Sequence, residues 1–345
     1  MESGKISCGI KVGAVIVAEI IILLIIVSII TGISIYLVKR LKKNISKNYR
    51  LSTVEYCQNL PPINYTSTIT KPMVNGIYEY DLAKAFLETS LLVTQSNCFN
   101  IVPISNPPSF TNQYRIFGTD PSNGKRRMFV TVFTNFDAEN NVENNTEEKI
   151  IKQSYKFLIV FSGTFSLNEW KDDFTYPLVE GNLLNNYETG IQVHKGFYNV
   201  YLSIRDKLWN LFEANKDKIN EFYITGHSLG GALSTLCAFD FSQYDPIHYS
   251  FAAPRSGNIN YSNKFNILLP NSLRIYNNED IIHSVPPSVF FNSYTYQHTG
   301  NGIPFDANLG TIANNHITAY ENYLPKCIKN RAPCNENNIK IVEKK

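Results

Sequence analysis

Glu221-Phe-Tyr-Ile-Thr-Gly-His-Ser-Leu-Gly-Gly-Ala-Leu-Ser-Thr-Leu-Cys-Ala238 decides the fold. Phe222 to Thr225 read as a buried strand, Gly226 to Gly230 as a tight turn, and Ala232 to Phe239 as a helix of small and apolar residues. The pentapeptide is G-x-S-x-G in a strand-turn-helix context. A side chain at position 226 or 230 would clash where the strand turns back into the helix, so glycine stands at both. The turn pushes Ser228 to its apex with the hydroxyl exposed. The helix N-terminus behind it favours developing negative charge.

A serine hydroxyl is a weak nucleophile until a histidine takes its proton, and that histidine needs a carboxylate to fix its tautomer. Where the serine sits on a strand-turn-helix elbow, the partners follow in the order Ser, Asp, His. Asp280 lies where the apolar run from Leu273 passes into a polar loop, at a strand's carboxyl edge, with Glu279 as its neighbouring competitor. Three histidines follow. His283 is too close to Asp280 to reach back to the serine and is expected to be structural; His298 reads as a strand residue. His316 lies in a polar loop running into a short helix near the chain's end, the best position for a base. His194 and His227 flank other motifs, and His248 has no context that favours catalysis.

Outward from this centre, Tyr80 to Thr94 reads as an amphipathic helix, Gln113 to Phe117 and Arg127 to Thr134 as a hairpin, and Tyr155 to Phe161 as a central strand. Asn135 to Glu148 reads as an exposed loop, and Val200 to Lys216 has helical spacing. Strands alternating with helices from 155 onward predict an α/β class with a mostly parallel central sheet flanked by helices.

Val12 to Val38 is apolar except for Glu19 and is long enough to cross a bilayer as a helix. It is too long for a signal-peptide core and lacks a cleavage site, so a single N-terminal transmembrane helix is expected in the mature protein. The sequence leaves the side of the catalytic domain undecided. The basic cluster Lys39, Arg40, Lys42, Lys43, Lys47 and Arg50 favours a cytoplasmic flank. Cys57, Cys98, Cys327 and Cys334, with the sequons at Asn64 and Asn260, suit an oxidising space.

The net charge is +3, yet residues 1–50 carry eight Lys or Arg against two Glu. The remainder is therefore mildly acidic, and no nucleic-acid partner is expected. Six cysteines without C-x-x-C spacing make neither a disulfide scaffold nor a metal site. Cys237 reads as core. The expected organisation is a tail over 1–11, an anchor over 12–38, a basic flank and stalk or wrap-around segment over 39–82, a catalytic domain over 83–325 and a C-terminal tail over 326–345.

Over roughly residues 85–325 the sequence resembles the class 3, fungal-type triacylglycerol lipases of the α/β-hydrolase fold. The matching stretches are Ile159-Val-Phe-Ser-Gly-Thr164, Asn168-Glu-Trp-Lys-Asp-Asp173, Val193-His-Lys-Gly-Phe-Tyr198, Gly226-His-Ser-Leu-Gly-Gly231, Phe251-Ala-Ala-Pro-Arg-Ser-Gly-Asn258 and 274–287. By that resemblance Ser228 is the nucleophile, Asp280 the triad acid and His316 the general base, while His298 falls in a noncatalytic strand. The resemblance also implies an oxyanion hole from Leu229 N–H and Thr164, each such donor being worth on the order of 3 kcal/mol in the transition state. It implies a lid over Phe165 to Trp170, short and rather polar, with Phe165, Leu167 and Trp170 among polar residues, and a supporting role for Asp173. Ser162 departs from the Arg the family commonly has there. No cofactor or metal is implied. The expected activity is membrane-anchored ester hydrolysis on acylglycerols at a lipid surface, with phospholipase A1 or short-chain esterase activity as the alternative. From a different class, a catalytically silent membrane-tethered binding protein remains the rival.

Overall fold

The computed structural model describes residues 65–72, 75–97, 104–120, 124–138, 154–163, 177–183, 189–288 and 296–326. The expected anchor at 12–38, the lid, Thr164, Asp173 and every cysteine except Cys237 lie outside the described residues. No helix among the described residues is long and apolar enough to cross a membrane.

The chain runs through helix α1 (Tyr80–Ser96), strands β1 (Asn112–Thr119), β2 (Arg126–Thr134), β3 (Lys156–Phe161), β4 (Leu178–Glu180) and β5 (Gln192–His194), and helix α2 (Lys195–Glu213). Strand β6 (Glu221–His227) and helix α3 (Leu229–Asp240) follow, then β7 (Ile247–Phe251), β8 (Gly257–Asn258), α4 (Ile259–Leu268) and β9 (Leu273–Asn277). Strands β10 (Tyr296–Gln297) and β11 (Asn301–Phe305), a π-helical turn (Asn314–Thr318) and α5 (Ala319–Tyr323) complete the described fold.

The principal sheet has the order β1-β2-β3-β6-β7-β9-β11. The five strands from β3 to β11 are parallel, and β1 and β2 add an antiparallel edge. Helices cover both faces, so the central strands are apolar on both sides rather than alternating. Period two divides them between two cores. Phe157, Ile159 and Phe161 of β3 join Phe222 and Ile224 of β6 beneath α2 and α3, while Leu158, Val160 and Tyr223 face α1 and α5. Phe212 lies 4.7 Å from Phe222, 5.1 Å from Phe241 and 5.6 Å from Phe157, ring centroid to centroid. Burying one such ring contributes about 2–3 kcal/mol.

Polar groups inside these layers are satisfied locally. Thr89, Ser90 and Thr94 return their hydroxyl protons to carbonyls one turn earlier, at 2.7 Å each. Asp240 ends α3 within a ring of donors: Tyr201 Oη, Arg205 Nε and Nη2 at 2.7 Å, and Trp209 Nε1 at 2.8 Å. That carboxylate ties α2 to α3.

Three boundaries differ from expectation. Helix α2 begins at Lys195 rather than near 200, because His194 Nδ1 accepts the Gly196 and Phe197 amides and so caps the first turn. Helix α3 begins at Leu229, so the turn narrows to Ser228 itself. The packed domain starts before residue 83, since Ile69 and Tyr78, in the segment expected as a stalk or wrap-around, are buried in the α1 layer. A second, four-stranded sheet, β10-β8-β5-β4, was not foreseen; its strands have two or three residues and pair antiparallel over long sequence distances.

Candidate active site

The elbow is built by close approach. A Cβ on Gly226 would collide with the backbone of Gly230, and one on Gly230 with the backbone of Phe161. Strand β6, helix α3 and strand β3 meet there without room for side chains. The cost is carried by Ser228, at φ 61° and ψ −126°, a conformation that side-chain-bearing residues rarely adopt. Strain of this kind costs about 1–3 kcal/mol and persists only where its surroundings over-determine it. Here Ser228 N–H donates to the Phe251 carbonyl at 2.9 Å, and the Ser228 carbonyl accepts from Gly231 N–H at 2.9 Å.

The topology brings Ser228, His316 and Asp280 together from three carboxyl-edge loops. Ser228 Oγ is 2.8 Å from His316 Nε2, and His316 Nδ1 is 2.8 Å from Asp280 Oδ2. All three are buried, Ser228 included, whose hydroxyl the sequence places exposed at the turn's apex. An ionised carboxylate only accepts, so Nδ1 carries the imidazole proton and Nε2 presents its lone pair to the serine hydroxyl. Desolvation pushes the Asp280 carboxyl up. His316, the Ile282 amide at 2.9 Å and the Tyr320 hydroxyl at 3.0 Å outweigh it and hold the group below the ordinary carboxylate range. Leu229 opens α3, and the first amides of a helix have no acceptor within it. Its N–H is thus available beside Ser228 for a developing oxyanion.

Sequence reading missed the residues that hold the three in place. Tyr320 is fully buried and accepts the Asn277 amide at 3.0 Å while donating to Asp280. Its position four residues after His316 was the available signal. Asn277 Nδ2 donates to the Asn315 and Ala307 carbonyls, at 3.0 and 2.9 Å. His227 Nε2 lies 2.8 Å from the His316 carbonyl and donates to it, pinning the backbone of the π-helical turn. Burial, then the neighbouring His316, lower the His227 pKa to about 3, so this ring stays neutral.

The remaining histidines lie outside this set. His194 caps α2, and burial lowers its pKa to about 4. His248 bridges Ser234 and Ser272 at 3.1 and 2.7 Å, lowered by burial to about 3. The His283 ring lies tilted against Tyr276 at 4.8 Å, and His298 tilted against His283 at 5.9 Å, centroid to centroid. Cys237 is buried and free.

Residues 158–290 match the family Lipase (class 3). The chain is 31% identical over 154 residues to the chloroplastic phospholipase A(1) DAD1 of Arabidopsis thaliana, covering 39% of this chain and 34% of that one. It is 30% identical over 162 residues to the secreted mono- and diacylglycerol lipase MDL3 of Malassezia globosa, covering 44% and 52%. The chain thus spans between a third and about half the length of these curated relatives. Among solved structures, a mono- and diacylglycerol lipase from Aspergillus oryzae superimposes with a TM-score of 0.47 at 18% identity, over 68% of this chain and 82% of that one. The stretch that matches the class 3 lipase family, residues 158–290, contains the elbow with Ser228 and the loop with Asp280.

Proposed function

We propose that this chain is a serine ester hydrolase acting on acylglycerols, a triacylglycerol lipase tethered to a membrane by residues 12–38. The observation that carries the reading is the continuous relay from Ser228 through His316 to Asp280, with both links at 2.8 Å. Ser228 Oγ attacks the ester carbonyl carbon as its proton passes to His316 Nε2. The tetrahedral oxyanion points at Leu229 N–H and at Thr164, the second donor expected from sequence. Collapse breaks the bond to the alcohol oxygen, which takes the proton from His316 and leaves as the diacylglycerol, with the acyl group on Ser228. Water then repeats the cycle with His316 as base, and the fatty acid departs. Asp280 orients the ring and stabilises its transient positive charge. The membrane tether would hold the site at its bilayer or droplet substrate. A lid over 165–170 with an apolar inner face would open where lipid covers that face.

Likeness to a phospholipase A(1) supports a second reading, in which the scissile ester belongs to a phospholipid. Hydrolysis of tributyrylglycerol by the full chain, measured across the substrate's solubility limit beside Ser228→Ala, separates these readings. The expected result is a Ser228-dependent rate that climbs steeply once droplets form. Smooth saturation below the limit would mark a short-chain esterase. Fatty acid release from phosphatidylcholine vesicles alone would mark the phospholipase. No Ser228-dependent release from either substrate would leave a silent binding protein.

A further inference from the structure

The Arg205 guanidinium meets a carboxylate, Asp240, through Nε and Nη2 at 2.7 Å. Arg274 of β9 has no carboxylate partner among the described residues. Its Cζ lies 4.1 Å from the centre of the Tyr276 ring, while its Nε and Nη1 are buried without an acceptor. Two more orphaned atoms stand beside it, His283 Nδ1 and His298 Nε2. His283 is only 9% exposed, so water does not reach its ring freely. Six buried side-chain nitrogen or oxygen atoms lack a partner among the described residues, and four of them belong to this one cluster. A shared occupant explains that better than four separate defects.

Arg255 adds a second positive charge. Its Nη1 donates to the Ser284 carbonyl and, at 2.7 Å, to the Pro286 carbonyl, which leaves the charge without a counter-ion. Burial, then the charge of Arg274, lowers the Arg255 pKa. The carboxylate nearest in effect to His283 is Asp280, and it is already committed to His316, the Ile282 amide and the Tyr320 hydroxyl. Burial lowers His283 to about 4; burial, then Arg274 and Arg255, lower His298 to about 2. Both rings are therefore neutral at pH 7, and a neutral imidazole can place its one N–H at an orphaned nitrogen. A charge withdrawn from water needs an opposite charge or a full set of hydrogen bonds.

We propose that Arg274, His283 and His298, with the charge of Arg255 beside them, form a binding site for a small inorganic anion of the size of chloride. The side chains supply what such an ion needs, N–H donors and net positive charge away from bulk water. Rings and guanidinium packed at 4.1, 4.8 and 5.9 Å leave room for one ion and not for a lipid head group. Bound there, the ion ties the start of β9 to the turn Ile282–Ser284 after Asp280 and to the residue following β10. It thus braces the loop that carries the triad acid. The ion takes no part in the hydrolytic steps, and the site stands whether or not the chain is a hydrolase.

The test is thermal unfolding of the full chain in a non-ionic detergent at pH 7 and fixed ionic strength, with sodium gluconate exchanged for sodium chloride. For a dissociation constant on the order of 10 mM, the wild-type midpoint is expected to rise about 3–5 °C between about 5 and 500 mM chloride. Arg274→Met should lose that rise, whatever its own midpoint. Wild-type crystals grown in sodium bromide carry the test should Arg274→Met fail to fold: an anomalous peak is expected in contact with the Arg274 guanidinium and His283 Nδ1. A midpoint indifferent to chloride would overturn the proposal, as would an Arg274→Met protein that responds like the wild type. Bromide crystals without a peak at this cluster would do the same and assign the four atoms to ordered water. Neither experiment reads hydrolysis, so its outcome is independent of the tributyrylglycerol assay.

Discussion

Ser228→Ala is expected to lower kcat for ester hydrolysis by a factor on the order of 10^4 to 10^6 and to leave the thermal midpoint near that of the wild type. The size follows from the relay. Ser228, His316 and Asp280 act as one unit, so removing the nucleophile or the base removes the covalent route entirely. For the same reason Ser228→Ala combined with His316→Ala should be no slower than either alone. Asp280→Asn is expected to cost about 10^4, because an amide in place of the carboxylate favours the wrong imidazole tautomer. That substitution also alters the acceptor for Ile282 N–H and the Tyr320 hydroxyl, so it should destabilise the fold where Ser228→Ala does not. A Ser228→Ala protein that keeps a rate within tenfold of wild type would end the serine mechanism.

Lowering the pH from 7 to 5 is expected to remove about 6 kcal/mol of folding stability through three histidines alone. His194, His227 and His248 are buried neutral rings whose pKa values burial lowers to about 4, 3 and 3. In the unfolded chain each titrates near pH 6.5. Between that value and the folded ones the unfolded state binds more protons, so stability is full above about pH 6.5 and falls as the pH drops. At pH 5 each ring costs about 2 kcal/mol, and the total rivals the 5–15 kcal/mol that holds a typical domain together. His283, lowered to about 4, adds in the same direction. The local chemistry agrees for His194, whose Nδ1 lone pair accepts two amides at a helix N-terminus, where a proton would both remove the acceptor and oppose the helix dipole. Urea unfolding at pH 7, 6 and 5 checks this; a change under about 1 kcal/mol across that range would contradict the neutral assignment of these rings.

The elbow was legible because its chemistry is local. Gly226, Ser228 and Gly230 at fixed spacing, between an apolar strand and a small-residue helix, leave few alternatives. Asp280 and His316 could be named because chain order limits the candidates and the family resemblance singles them out. What escaped depends on tertiary contact. The start of α3 at Leu229 places two glycines in a helix's first turn against their propensity, because Phe161 of β3 presses on Gly230, and Phe251 and Ala253 on Gly231, too closely for anything larger. Tyr320, Asn277 and His227 hold the triad through bonds between segments far apart in sequence, which periodicity cannot register. Strands of two or three residues, such as β8 and β10, have no pattern to read. The helix start at Lys195 was hidden by a capping side chain, His194, outside the usual set of Ser, Thr, Asp and Asn.

The most direct measurement is covalent labelling of the full chain with diethyl p-nitrophenyl phosphate, followed by intact-mass analysis and peptide mapping. A serine activated by His316 should take one diethylphosphoryl group at Ser228 and release one equivalent of p-nitrophenol. Ser228→Ala should remain unlabelled, and His316→Ala should label far more slowly. A wild-type chain that stays unmodified, or one modified elsewhere with Ser228 intact, would contradict the assignment of Ser228 as the nucleophile.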